Sequence, residues 1–272
     1  MLTVALNAVT SSAKGSGRSR ADEGGKERVA TRDVHVKRMF ESIAFSYDFQ
    51  NSFLSLGQDI AWRRTLARSV KVPHDGIVLD LATGTAELAT AICDNHPGVR
   101  VIGLDFSPRM LAIGQSKVRS KGLAGRIGLS LGDARRLPFK TGFFDGATMA
   151  FGIRNIQERK EVLGEIRRVL KEGALLWIME FDCPDQPVLG KIYRFYFDRI
   201  MPPIGNWLSR TDYAYSYFAK SVHGFPPEKE FLQEIADAGF TALGVKKLSL
   251  GIAKIYSGIK KGMVQTHESQ LA

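Results

Sequence analysis

The stretch Ile77-Val78-Leu79-Asp80-Leu81-Ala82-Thr83-Gly84-Thr85-Ala86-Glu87-Leu88 constrains this fold more than any other. It opens as a short apolar run, the mark of a buried strand, turns through small residues and enters a helical pattern. About 20 residues past Gly84 a second apolar run, Val101-Ile102-Gly103-Leu104, ends in Asp105, the spacing of an acidic residue that grips a ribose. Together these describe a nucleotide-type crevice at the carboxyl ends of parallel strands. The same pattern also serves as a plain strand–turn–helix joint in an α/β fold.

The glycines decide what such a crevice can hold. A dinucleotide needs G-x-G-x-x-G, so that backbone can approach a pyrophosphate at a helix N-terminus. This loop has one glycine, Gly84, among Ala82, Thr83 and Ala86. It suits a ligand without phosphates. S-adenosylmethionine (SAM), with adenosine at one end and an amino acid at the other, is such a ligand.

Further along, strand and helix patterns alternate. Ser107-Pro108 starts a helix, serine as cap and proline in the first turn. A third strand, Ile127–Leu131, ends in Gly132-Asp133-Ala134. Asp133 could accept the adenine amino group, or it could be a turn carboxylate. A fourth strand, Phe144–Phe151, leads into Gly152-Ile153-Arg154-Asn155. An arginine directly after a buried strand is placed at the crevice; the plainer role is a tie to a neighbouring carboxylate. An amphipathic helix over Gln157–Leu170 stops at Lys171-Glu172-Gly173, and a fifth strand follows over Leu175–Phe181. Such alternation implies a parallel, doubly wound sheet. Near the end, a helix through Phe231 and Ile235 precedes two strands, Lys246–Leu250 and Ile252–Ile259, joined at Gly251. A terminal antiparallel pair is allowed beside a parallel sheet.

Two segments stand outside this alternation. Helical patterns ahead of the first strand carry Met39, Phe40, Ile43 and Tyr47, and then Ile60–Leu66; they can close over a crevice or pack on a sheet edge. Between residues 182 and 226 lie Tyr193, Phe195, Tyr196, Phe197, Trp207, Tyr213, Tyr215, Tyr217 and Phe218, enough for an apolar pocket wall or for ordinary core. The organisation expected is a disordered basic tail over 1–32, one domain over 33–262 and a frayed end over 263–272. Within the domain, 33–70 are lid helices and 182–226 a substrate-pocket insertion. The tail is rich in Ser, Gly, Arg and Lys.

The formal net charge is +10. Such an excess points to nucleic acid, an anionic membrane surface or an acidic substrate without choosing among them. Two cysteines, Cys93 and Cys183, make neither a disulfide framework nor a zinc spacing. No metal site is expected. No apolar run approaches the roughly 20 residues that a spanning helix needs.

At this point the chain resembles a specific family. The order of Phe40-x-x-Ile43-Ala44-x-x-Tyr47-Asp48-x-x-Asn51, Leu79-Asp80-Leu81-Ala82-Thr83-Gly84-Thr85, Leu137-Pro138-Phe139, Phe151-Gly152-Ile153-Arg154-Asn155 and Arg168-Val169-Leu170-Lys171-Glu172-Gly173 is similar to that of the ubiquinone/menaquinone biosynthesis C-methyltransferases. The resemblance covers about residues 36–259. It implies a Rossmann-like class I methyltransferase fold: α/β, with a mostly parallel seven-stranded sheet, a terminal antiparallel strand, helices on both faces and N-terminal lid helices. It implies SAM as methyl donor and a prenylated hydroquinone as acceptor, either demethylmenaquinol or 2-polyprenyl-6-methoxy-1,4-benzoquinol.

Residue by residue, the resemblance places Gly84 and Thr85 against SAM on the first loop, Asp105 on the ribose hydroxyls, and Asp133 with Ala134 at the adenine. Tyr47 helps close the site, and Arg154 faces the quinol, where a cation stabilises the phenolate as charge develops. Asp48, Asp59 and His223 are the candidates for the base. The chain departs from the family at Ala86 and Glu87, where Gly-Asp is usual, and at Ala150, a cofactor position commonly filled by serine. Ala86 puts a methyl where backbone meets the cofactor's amino acid end. The prenyl chain implies an apolar groove and transient contact with a membrane surface, for a cytoplasmic protein peripheral to the inner face. A mitochondrial matrix location would need the tail to act as a presequence, against which Asp22, Glu23 and Glu27 count. A homodimer stays open. Nucleic acid is not expected as a partner. The alternatives are a SAM-dependent methyltransferase of RNA or of another small molecule, and a SAM-binding protein that assists a complex without catalysis.

Overall fold

The computed structural model describes residues 55, 57–182, 184, 190, 191, 195, 199 and 214–262. The tail, the first expected helix with Tyr47 and Asp48, and most of the aromatic insertion lie outside the described residues.

In chain order the elements are α1 Gln58–Ser69, β1 Ile77–Leu81, α2 Glu87–Asn95, β2 Arg100–Asp105, α3 Pro108–Ser120, β3 Ile127–Leu131 and β4 Phe144–Ala150. A single 3-10 turn, Ile153–Asn155, follows β4. Then come α4 Arg159–Val169, β5 Leu170–Phe181, α5 Ala214–His223, α6 Glu228–Asp237, β6 Phe240–Leu248 and β7 Ala253–Lys260. The seven strands form one sheet in the order β3-β2-β1-β4-β5-β7-β6. Strands β1 to β5 pair in parallel. Only β7 runs against its neighbours, β5 and β6. The strand order reverses between β1 and β4, and a crevice opens outside the carboxyl ends of strands at such a reversal.

Two apolar cores follow from the alternation of side chains across the sheet. On one face Val78, Val101, Trp177 and Ile255 pack with Trp62 and Leu66 of α1, Leu88 and Ile92 of α2, and Val118 of α3. On the other, Leu79, Leu81, Ala147 and Ile178 pack with Val162 and Ile166 of α4 and Phe231 and Ile235 of α6. This sandwiching makes β1 apolar on both sides, the signature of a central parallel strand, with Asp80 its one charged member. The expected cap holds: Ser107 Oγ accepts from Met110 N at 3.3 Å, with Pro108 in the first turn of α3.

Boundaries differ most from the sequence reading at two places. The helix before β5 ends at Val169, and the strand pairs from Leu170 opposite Phe144, with a register shift before Gly146. Strand β6 begins at Phe240, six residues early, because its alternation is blurred: β6 is an edge strand whose side chains are mostly half-buried or exposed.

Candidate functional site

The first loop is built by close approaches that only small residues allow. Gly84 takes φ +54°, and a Cβ placed there would meet nothing within 4 Å, so the backbone at this point borders open space. A Cβ at Gly103 of β2 would come within 2.8 Å of Thr83; its absence lets the loop cross β2, where Thr83 N donates to Leu104 O at 3.2 Å. A Cβ at Gly152 would come within 2.7 Å of Ala82, so the loop after β4 presses directly on the loop after β1.

Asp105, at the end of β2, is buried. One carboxylate oxygen accepts from Gly84 N and the other from Ser107 N, both at 2.8 Å. The two oxygens offer four lone pairs, and a third backbone hydrogen bond comes from Phe106, so the carboxylate fixes the loop and keeps one acceptor position. Burial pushes its pKa up, against hydrogen bonds from the Ser107, Gly84 and Phe106 backbone that pull it down. Thr85 is buried in the loop, and Ala150 is half-buried at the end of β4. Beyond β3, Asp133 is largely exposed and holds Arg135, whose Nη2 lies 2.8 Å away. Partial burial works to raise the Asp133 pKa but is outweighed by the Arg135 side-chain and backbone hydrogen bonds, so the net shift is downward. Ala134 packs half-buried on the second core.

Ala86 takes the left-handed conformation at the start of α2, φ +64°, and is fully buried. A Cβ at Gly114 of α3 would lie 3.4 Å from its methyl. The extra methyl therefore packs into the core beside Gly114, and Glu87 pairs with Lys117 of the same helix. Ala86→Gly relieves the left-handed strain, roughly 1 kcal/mol, and gives up about 0.8 kcal/mol of buried methyl. The expected result is a melting temperature and a SAM affinity both close to wild type, checked by calorimetric melting and titration.

Asp80 was not singled out by the sequence. It is buried beneath this loop, accepting from Thr83 Oγ1 at 2.6 Å and Thr148 Oγ1 at 2.7 Å. Burial raises its pKa from 3.8 to about 6, against those two hydroxyls and the Arg63 charge, while Asp105 raises it further. A folded-state pKa above the unfolded one gives stability that is complete below pH 3.8 and lost as pH rises through about 6. The Asp80→Asn protein should therefore melt higher than wild type at pH 7.5, and the gap should close by pH 4. The full shift corresponds to at most about 3 kcal/mol. Melting curves at the two pH values check this.

Arg154, in the 3-10 turn after β4, is almost wholly buried. Its Nη1 donates to Phe151 O at 2.6 Å and Glu180 Oε1 at 2.7 Å, and its Nε to Ser221 Oγ at 3.3 Å. The guanidinium carbon lies 5.5 Å from the Phe181 ring centre and 4.8 Å from that of Phe218, within cation–π range. Phe151 stacks on Phe181 at 4.3 Å and takes φ +59°, a true outlier for a bulky residue. The tie to a carboxylate, one of the two roles read from the sequence, is present through Nη1, and Nη2 makes no hydrogen bond among the described residues. Glu180 is fully buried; burial pushes its pKa up, against the Arg154 charge and the Phe181 and Arg154 backbone.

The base candidates fare unequally. Asp59 is buried, receives a hydrogen bond from Ser55 Oγ at 3.0 Å and pairs with Arg63. His223 is exposed at the end of α5, two residues beyond Ser221. Arg63 joins the site unannounced: its guanidinium carbon stands 5.3 Å from the Phe151 ring centre. Trp62 meets Phe181 edge-on at 5.8 Å, which brings α1 to the crevice. Glu180, Ser221, Arg63 and Trp62 were missed because nothing local in the chain marks them. Among the described residues no group of three His, Cys, Asp or Glu could hold a metal.

The family model of the ubiE/COQ5 methyltransferases matches residues 28–260. A ubiquinone/menaquinone biosynthesis C-methyltransferase of Geobacter sulfurreducens is 40% identical over 234 residues, 86% of this chain and 91% of its own. A demethylmenaquinone methyltransferase of Thermus thermophilus is 40% identical over 220 residues, covering 81% and 99%. Among solved structures, a SAM-dependent methyltransferase of Thermotoga maritima superposes with a TM-score of 0.59 at 20% identity, over 83% of this chain and 99% of that one.

Proposed function

The chain belongs to the ubiE/COQ5 methyltransferase family, and from that membership we infer that it carries out SAM-dependent C-methylation of a prenylated quinol in quinone biosynthesis. The observation that supports the site assignment is Arg154, anchored by Glu180 and Phe151 with no hydrogen bond at Nη2 among the described residues, in the turn after β4, the strand that pairs with β1.

The crevice fits SAM on the chemistry of its donors. Asp105 keeps one acceptor position for a ribose hydroxyl, and Gly84 borders open space where a nucleoside can lie. Thr85 and the Ala86 backbone line the amino acid end, and Asp133 with Ala134 the adenine. SAM, when bound, supplies a positively charged sulfonium whose methyl is the electrophile. A buried anion is costly until a cation approaches; Asp80 beneath the loop is such an anion, and it favours a sulfonium over its neutral product.

The rest falls to positioning and charge. Arg154 holds the acceptor's phenolic oxygen through Nη2, and its fixed positive charge favours the phenolate, which enriches the neighbouring ring carbon. Its place is set from three sides, by Glu180, Phe151 O and Ser221, so little reorganisation is needed as charge develops. Alignment of carbon and methyl within attack distance supplies much of the acceleration. The phenolic proton leaves first to water or a base; once the ring carbon carries the methyl, its own hydrogen leaves as a proton and the phenolic oxygen is reprotonated, which restores the aromatic ring. Asp59 is committed to Arg63, which leaves Asp48 and His223 as candidates for the base. The phenyl rings of Phe151, Phe181 and Phe218 give the quinol an apolar wall.

Among the described residues no helix is long and apolar enough to cross a membrane. The prenylated substrate dwells in lipid, so the protein meets it from the surface, aided by its basic excess. The test is incubation with labelled SAM and either demethylmenaquinol or 2-polyprenyl-6-methoxy-1,4-benzoquinol. Label should enter the ring of at least one, and the better acceptor names the pathway. No incorporation into either would remove the proposal.

A further inference from the structure

We propose that the turn between β6 and β7, with Leu250 at its tip, is the surface by which this protein docks on an anionic bilayer to collect its acceptor. The inference rests on the prenylated-quinol reading above. Strand β7 begins opposite the end of β5, with Ala253 facing Phe181 and Asp182 N donating to Ile252 O at 2.9 Å. The turn therefore lies on the same edge of the sheet as Arg154 and the crevice.

Leu250 is 67% exposed, more than any other large apolar side chain among the described residues. A single exposed leucine is unremarkable, but this one is held out at a cost. Ser249, Leu250 and Gly251 take φ +45°, +59° and +96°, three left-handed residues in a row, of which only glycine adopts that region freely. The turn is also tied to the catalytic wall. Trp62 Nε1 donates to Ser249 Oγ at 2.9 Å, and Ser249 Oγ bonds Gln58. Trp62 in turn packs on Phe151 and Phe181, the rings beside Arg154.

Two exposed cations lie on the elements joined to this tip, α1 through Gln58 and Trp62, and β6 directly. On α1, Ile60 is exposed, and so is Arg64 one turn on. On β6, Lys246 is exposed and shares with Leu248 the sheet face that α1 covers. Neither Arg64 nor Lys246 forms an ion pair among the described residues. One apolar side chain that can enter the acyl boundary, with cations that stay at the headgroups, fits an anionic leaflet. A protein partner would call for a broader apolar patch.

The test uses the full chain, vesicles of phosphatidylcholine with or without phosphatidylglycerol, and two acceptors: a long-prenyl quinol in the vesicles and a short-prenyl quinol in solution. Leu250→Asp should fold normally, since aspartate tolerates the left-handed region. It should lower the vesicle partition coefficient about tenfold and raise KM for the embedded quinol, with kcat and turnover of the soluble quinol unchanged. Arg64→Glu with Lys246→Glu should weaken binding to anionic vesicles and leave neutral ones alone. Wild-type partitioning by Leu250→Asp overturns the proposal, as does a wild-type protein that ignores both kinds of vesicle. A wild-type protein that binds vesicles but methylates neither quinol overturns the substrate reading instead.

Discussion

Arg154→Lys is expected to lower kcat by about two to three orders of magnitude, the usual cost of removing one donor aimed at a developing oxyanion. The lysine substitution is the informative one. Alanine would leave Glu180 buried without its cation, and breaking a buried pair costs about 3–5 kcal/mol, enough to confuse lost activity with lost fold. Lysine keeps a charge near Glu180. It cannot reach Phe151 O, Glu180, Ser221 and the acceptor at once, because an ammonium on a flexible stem lacks the planar fork. SAM affinity should change little, since among the described residues no hydrogen bond ties Arg154 to the first loop. Single-turnover rates with saturating SAM, beside melting curves, give the answer. Wild-type single-turnover rates in Arg154→Lys would take the guanidinium out of the chemistry. Glu180→Gln keeps the shape and loosens the anchor, and so should lower kcat by a smaller factor than Arg154→Lys.

Asp105→Ala is expected to weaken SAM binding by two orders of magnitude or more. A hydrogen bond to a charged acceptor contributes about 1.5–3 kcal/mol, and the loss of the loop's anchor adds to it. Part of the loss is indirect, because Asp105 also pins Gly84 N and Ser107 N. An analogue of SAM lacking the ribose hydroxyls separates the parts. Wild type should prefer SAM over that analogue strongly, and Asp105→Ala should scarcely distinguish them. Titration calorimetry with both ligands measures this. Equal discrimination by the two proteins would move the ribose elsewhere, and unchanged SAM affinity in Asp105→Ala would empty the proposed crevice.

These two residues were visible in the sequence for different reasons. Asp105 closes a strand at a fixed distance from the first loop, and Arg154 follows a buried strand directly; both are local facts. The strands β1 to β5 were legible for the same reason, as short apolar runs between turn residues. Strand β6 was half seen, since an edge strand carries little burial pattern. The packing of the Ala86 methyl beside Gly114 of α3 was not legible, because it depends on where α3 lies.

The chain's local order alone determined an α/β alternation, a loop too poor in glycine for a pyrophosphate, and an acid and an arginine at strand ends. Tertiary structure decided what those residues touch. Glu180 reaches Arg154 across 26 residues, Ser221 across 67, and Trp62 meets Ser249 across 187. Contacts at such separations leave no period and no spacing in the chain, because they depend on where the sheet brings distant strand ends together. The charge on Asp80 likewise depends on burial from every side, which no neighbour in sequence reveals.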